Sequence, residues 1–79
     1  MYTYYMIRLD FDDGDWGYVV FEGGGKYSLT KDPNEAMVCG TKEDAQDWYY
    51  DHIAGRPRGD GARVTHVYIS TLETSVNRG

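Results

Sequence analysis

One stretch, Thr41 to Gly55 (Thr-Lys-Glu-Asp-Ala-Gln-Asp-Trp-Tyr-Tyr-Asp-His-Ile-Ala-Gly), is the only part of this 79-residue chain with a full helical signature. Everything around it reads as strand or turn, so a lone helix has to cover one face of a sheet. Thr41 suits the N-cap, with Asp44 three positions on in a variant of the capping box. Gly55 stands where a left-handed C-cap carries no Cβ penalty. Ala45, Trp48, Tyr49, His52 and Ile53 recur at helical spacing and form an apolar stripe. At about 100° per residue, Glu43, Asp44, Asp47 and Asp51 gather on the other side. The main helix is therefore expected over about 42–54, with an aromatic face to bury and an acidic face to show.

The segments before it alternate with a period of two. In Tyr2 to Asp12, Tyr5, Ile7, Leu9 and Phe11 share one face; Tyr4, Met6, Arg8 and Asp10 share the other. Asp12-Asp13-Gly14-Asp15 supplies hairpin chemistry. Trp16 to Glu22 is a second strand, with Val19 and Phe21 on one face and Trp16, Tyr18 and Val20 on the other, which points to a central place in the sheet. Gly23-Gly24-Gly25-Lys26 turns the chain into a short third strand, Tyr27 to Lys31. Asp32-Pro33-Asn34-Glu35 reads as a single helical turn, with Asp as N-cap and Pro at N1. After the helix, residues 55–62 are rich in glycine and proline and read as a flexible surface loop. Arg63 to Leu72 is the last strand, Val67 and Ile69 interleaved with Val64, His66 and Tyr68. Residues 73–79 lack apolar content and are expected to fray.

The fold class is therefore α+β: one domain over 1–79, an antiparallel sheet of about four strands in the order β-β-β-α-β, with one main helix packed on one face. The last strand is expected beside the first, which carries the best core face. A chain this short buries only about 60% of its unfolded surface; eight tyrosines and two tryptophans offset that with large area per residue.

Thirteen acidic against eight basic side chains leave a net charge of −5, which argues against direct nucleic-acid binding and for a basic partner surface. A single cysteine, Cys39, excludes an internal disulfide framework and suits a reducing compartment. There is no apolar run of about 18 residues and no charged-then-apolar leader, so the expectation is a cytoplasmic protein with no membrane partner.

Motifs that could carry chemistry fall away one by one. Asp10, Asp12, Asp13 and Asp15 offer hard oxygen ligands, but counted from Asp10 the glycine falls one place early and Phe21 stands where an EF-hand needs glutamate. They read as a polar hairpin tip. Cys39, His52 and His66 are dispersed and too few for a structural zinc site. Gly23 to Lys26 lacks the second half of a phosphate loop and is followed by strand. Arg58-Gly59-Asp60 spells an adhesion tripeptide by coincidence. Arg56, Arg58 and Arg63 are the one basic cluster, able to clamp a phosphate or to balance the acidic surface. No metal, cofactor or catalytic set is expected, and the chain is read as a non-enzyme.

Two surfaces remain. Glu43, Asp47 and Asp51 stand four apart, about 5–6 Å between neighbouring Cβ atoms, a spacing at which like charges cost a helix a few tenths of a kcal/mol each. The helix dipole explains Glu43 and Asp44 near its N-terminus, not Asp47 and Asp51. Tyrosines exceed what so small a core can hold; Tyr50 faces solvent among the acids, and Tyr4 and Tyr18 lie opposite the core positions, the usual placement of contact residues. A solvated face is the plain alternative for both.

In size, charge and texture the chain resembles compact phage-encoded inhibitors of the anti-CRISPR kind, a likeness to a class rather than to a family motif. It implies a protein-binding inhibitor acting in the host cytoplasm on a basic surface of a nucleic-acid-handling host complex such as a CRISPR effector. Its contact residues would be Glu43, Asp47, Asp51, Tyr50, Tyr4 and Tyr18. The alternative is a non-catalytic interaction module, or a homodimer joined through the sheet face around Tyr4, Tyr18 and Val20.

Overall fold

A computed structural model describes residues 2–24, 26–56 and 58–74. Four strands, β1 (Tyr2–Phe11), β2 (Trp16–Gly23), β3 (Lys26–Thr30) and β4 (Val64–Thr74), form one antiparallel sheet in the order β3-β2-β1-β4. A 3-10 turn (Pro33–Glu35) and one helix, α1 (Lys42–His52), lie between β3 and β4. The last strand pairs with the first along almost its whole length, from Tyr2↔Thr74 to Phe11↔Val64.

The alternation in β1 is what builds the core. Ile7 and Leu9 are fully buried and Phe11 nearly so, joined by Val19 from β2, by Ala45 from α1 and by Ile53 just after it. Trp48 and Tyr49 pack against this cluster, half-buried; Trp48 stands edge-on to Phe21 at 5.8 Å and stacks on His52 at 4.3 Å. His52 is a packed histidine whose Nδ1 lies 3.1 Å from the Trp48 carbonyl oxygen.

Four details depart from the pattern in the sequence. The helix stops at His52: Ile53 and Ala54 both donate to the Tyr49 carbonyl, and Gly55 then takes φ +76°, so the chain turns out two residues earlier than 54. Val64 faces the core although it was grouped with His66 and Tyr68, because a bulge where Asp10 meets His66 and Phe11 meets Val64 inserts Thr65 as an extra residue and shifts the parity of β4. Strand β4 continues through Glu73 and Thr74, held by Thr3 and Tyr2 opposite, so the fraying expected from 73 does not begin there; residues 75–79 lie outside the described residues. Ala62 closes the supposed surface loop as a buried core residue, 8% exposed.

β1 and β2 separate beyond Arg8↔Tyr18, and the segment after the 3-10 turn fills the gap. Met37 donates to the Val19 carbonyl at 2.8 Å, while Tyr5 and Cys39 exchange both backbone hydrogen bonds, 2.9 and 2.8 Å. Cys39 is thereby fixed against β1. Burial, and then Asp44, push its thiol above the usual range, so it stays protonated at neutral pH.

Candidate functional site

The first cluster of charge is an internal one. Phe11 ends β1, and Asp13 and Asp15 stand on the hairpin that follows, which turns at Gly14 with φ +90°. Across from them the loop after α1 brings Arg58, whose guanidinium lies over the Phe11 ring at 4.5 Å. It reaches Asp13 at 2.6 Å, Asp15 at 2.9 Å and Asp60 at 2.8 Å. Lys31 adds a second cation on Asp15 at 3.3 Å. The tip carboxylates seat an arginine of the same chain. The adhesion-like tripeptide closes on itself, Arg58 Nε donating to Asp60 Oδ1 at 3.0 Å and Nη2 to Oδ2 at 2.8 Å. Nor do the three arginines form one clamp, since Arg58 is engaged here while Arg56 and Arg63 line a separate cleft of about 190 Å³ beside Tyr49, Ile53 and Val64.

The Arg58 contacts, then the Ala62 backbone N–H, hold the Asp60 carboxyl down at about 2, against an ordinary 3.8. Asp15 is lowered too, first by the Trp16 backbone N–H and then by Lys31. A carboxyl depressed in the folded state stabilises it above the unfolded pKa, and that contribution is lost as pH falls through the folded one. Thermal melts of the protein should therefore stay level above about pH 4 and drop between about pH 4 and pH 2. In Arg58→Gln the melting temperature should be lower near neutrality and the part of the acid-dependent drop due to Asp60 should vanish, the Asp15 part remaining. An unchanged acid profile in the variant would show that the cluster does not couple to folding.

The second feature is the sheet face without a helix. Arg8 lies over Trp16 at 4.3 Å and Tyr68 at 5.6 Å and pairs with Asp10 at 3.1 Å. Lys31 sits over the other reach of Trp16 at 4.1 Å and donates to its carbonyl. Trp16 stands edge-on to Tyr18 at 5.9 Å. Tyr4 and Tyr18 are half-buried, and Met6, between Tyr4 and Arg8 along β1, is only 3% exposed. Trp16 and Tyr68 are thus engaged by the chain's own cations.

The third feature is the outer face of α1. The Thr41 hydroxyl accepts from the Asp44 backbone N–H at 3.1 Å, so the cap forms; the Asp44 carboxylate does not complete the reciprocal half. Glu43, Asp47, Tyr50 and Asp51 fall within about 100° of one another around the helix, all exposed, Tyr50 at 69%. Among the described residues, eight of the thirteen carboxylates accept a hydrogen bond within the domain: Asp10, Asp12, Asp13, Asp15, Glu22, Asp32, Glu35 and Asp60. Of the five that accept none, Glu43, Asp44, Asp47 and Asp51 all stand on α1; the fifth is Glu73.

The six sequence-derived contact residues thus divide. Glu43, Asp47, Tyr50 and Asp51 form one surface, and Tyr4 and Tyr18 belong to the opposite side of the sheet. What sequence reasoning missed is the pairing of Arg58 with the tip aspartates: Arg58 and Asp13 are 45 positions apart, and no local pattern joins them. Comparison of the chain with protein-family models, with curated proteins and with solved structures returns no match.

Proposed function

We propose that the protein is a non-catalytic, protein-binding inhibitor whose acidic α1 face covers a basic, nucleic-acid-binding surface of a host protein, in keeping with its resemblance to inhibitors of the anti-CRISPR kind. The observation that carries this reading is the distribution of unsatisfied carboxylates. Elsewhere in the domain every acid but Glu73 accepts a hydrogen bond; on α1 a row of them is held out to solvent at a cost in helix stability, with a large exposed aromatic among them. From Glu43 to Asp51 the row spans about 12 Å at the helical rise of 1.5 Å per residue. A basic groove shaped for phosphates would pair with such a row, and Tyr50 would supply contact area with little rotamer entropy.

The test is Asp47→Lys with Asp51→Lys. Both side chains are exposed and bear no internal hydrogen bond, so the circular dichroism spectrum should match the parent and the melting temperature should be equal or slightly higher, since the row's repulsion is relieved. Inhibition of nucleic-acid cleavage would be measured across a panel of CRISPR effector ribonucleoproteins. The parent should inhibit at least one, steeply less at raised salt, and the double variant should lose about 30-fold or more in potency. Full potency in a folded variant, or a parent that inhibits none and displaces no nucleic acid from them, would overturn the reading.

A further inference from the structure

We propose that β4 is a self-association edge, through which two copies of this chain join their sheets antiparallel. The proposal is independent of the function assigned to α1.

The backbone shows which groups are free. Tyr5 exchanges its hydrogen bonds with Cys39, on the side of β1 away from β4. In an antiparallel ladder, residues opposite one another alternate between exchanging bonds and facing away. Tyr5↔Thr71, Ile7↔Ile69 and Leu9↔Val67 are therefore pairs that face away. Thr71, Ile69 and Val67 consequently turn their N–H and C=O groups outward, and β4 is the end strand of the sheet. Among the described residues nothing pairs with these groups.

The other edge is protected and this one is not. β3 has five residues, begins with a lysine and is followed by Lys31, Asp32 and Pro33, the devices that usually blunt an edge. From Val64 to Leu72, Val-Thr-His-Val-Tyr-Ile-Ser-Thr-Leu, β4 carries no lysine, arginine, aspartate, glutamate or proline. Its bulge lies at the start of the run, leaving His66 to Leu72 regular. Apolar groups are also uncovered on both sides of the edge: Val67 is 36% exposed on the helix side and Tyr68 45% on the other.

Charge selects the occupant. Two copies of a chain with net charge −5 repel over most of their surfaces; an uncharged, β-branched strand is the place where they can meet. A two-fold axis normal to the sheet at Tyr68 sets Tyr68 against Tyr68 of the second copy, Val67 against Ile69, and His66 against Ser70. Aromatic meets aromatic and β-branched meets β-branched, the favourable cross-strand pairs. A strand-edge contact buries less than about 1,200 Å², the size of weak, transient contacts, so association is expected only at high protein concentration.

Sedimentation equilibrium should give about 18 kDa at high concentration, twice the 9.0 kDa of one chain. Tyr68→Glu places carboxylates against each other in the dimer, yet within one copy it faces Arg8 across the ladder, so the fold survives. Tyr68→Lys sets ammonium groups against each other in the dimer, and circular dichroism should show it folded despite Arg8 opposite. Each variant alone should be monomeric, and an equimolar mixture should restore the dimer. Thr71→Pro, which removes an outward N–H and leaves the β1 ladder intact, should also weaken it. A parent that stays monomeric to about 500 μM, a Tyr68→Glu protein that still dimerises, or a mixture that stays monomeric would each overturn the proposal.

Discussion

Leu9→Ala is expected to cost about 3 kcal/mol of folding free energy, within the range for a buried leucine truncated to alanine. Leu9 is fully buried on β1, an inner strand of the sheet, with Gly17 of β2 on one side and Val67 of β4 on the other. No neighbouring element can close over the space without giving up a ladder. A domain of this size has roughly 4–12 kcal/mol in total, so the loss is a large share of its stability. The melting temperature should fall by roughly 12–24 °C, read by circular dichroism. Val67→Ala, on the same face but at the sheet edge, should cost only about 1 kcal/mol, because Val67 stays 36% exposed in the folded state and its removal leaves no closed cavity. Equal losses at the two positions would mean that the core does not sit where Ile7, Leu9 and Val19 place it.

Gly17→Ala should be destabilising by about 1–3 kcal/mol, the range for forcing extra volume into a packed site. The expectation runs against the general rule, since replacing glycine in a strand ordinarily stabilises by reducing the freedom of the unfolded chain. Gly17 has no positive φ to protect. The difficulty is space: an added Cβ would lie 2.8 Å from Leu29 Cβ and 3.3 Å from the Thr30 carbonyl oxygen. Gly40 is the control, with nothing within 4 Å of the same added atom, so Gly40→Ala should be neutral or slightly stabilising. Trimming Leu29 to alanine in the Gly17→Ala background should return part of the loss, a coupling that denaturant titration of the four proteins would read. A stable Gly17→Ala protein would mean that β2 and β3 are less closely packed than these distances.

The elements of this fold were legible because each is written in a local period or a local turn. The Thr41 cap, the i, i+3, i+4 spacing of Ala45, Trp48 and Tyr49, and the alternation in β1 each need only neighbours a few residues away. The order β-β-β-α-β and the pairing of β4 with β1 followed from burial demands. What a local pattern could not carry was any shift of parity or any long-range partner. The bulge at Thr65 moved Val64 to the core face with no sequence signal stronger than a β-branched pair. Ala62 looked like loop because it follows glycine and proline, yet it is buried. For the candidate site, the row Glu43, Asp47, Asp51 was visible from helical geometry alone. That Asp13, Asp15 and Asp60 are spent on Arg58 while the α1 row is not could be seen only once the loops were brought together.

The use of some carboxylates and not others gives the molecule a direction. Around Arg58, two cations, Arg58 and Lys31, offset most of the charge of Asp13, Asp15 and Asp60, while on α1 none of Glu43, Asp44, Asp47 and Asp51 forms an ion pair, so the net charge of −5 is not spread evenly. An uneven charge acts as a dipole, which turns a diffusing body before it touches anything. Toward a cationic surface this domain would arrive helix first, and raising salt would slow its arrival more than it hastened its departure. Short-range packing holds the domain together; its long-range field decides which side is seen from a distance.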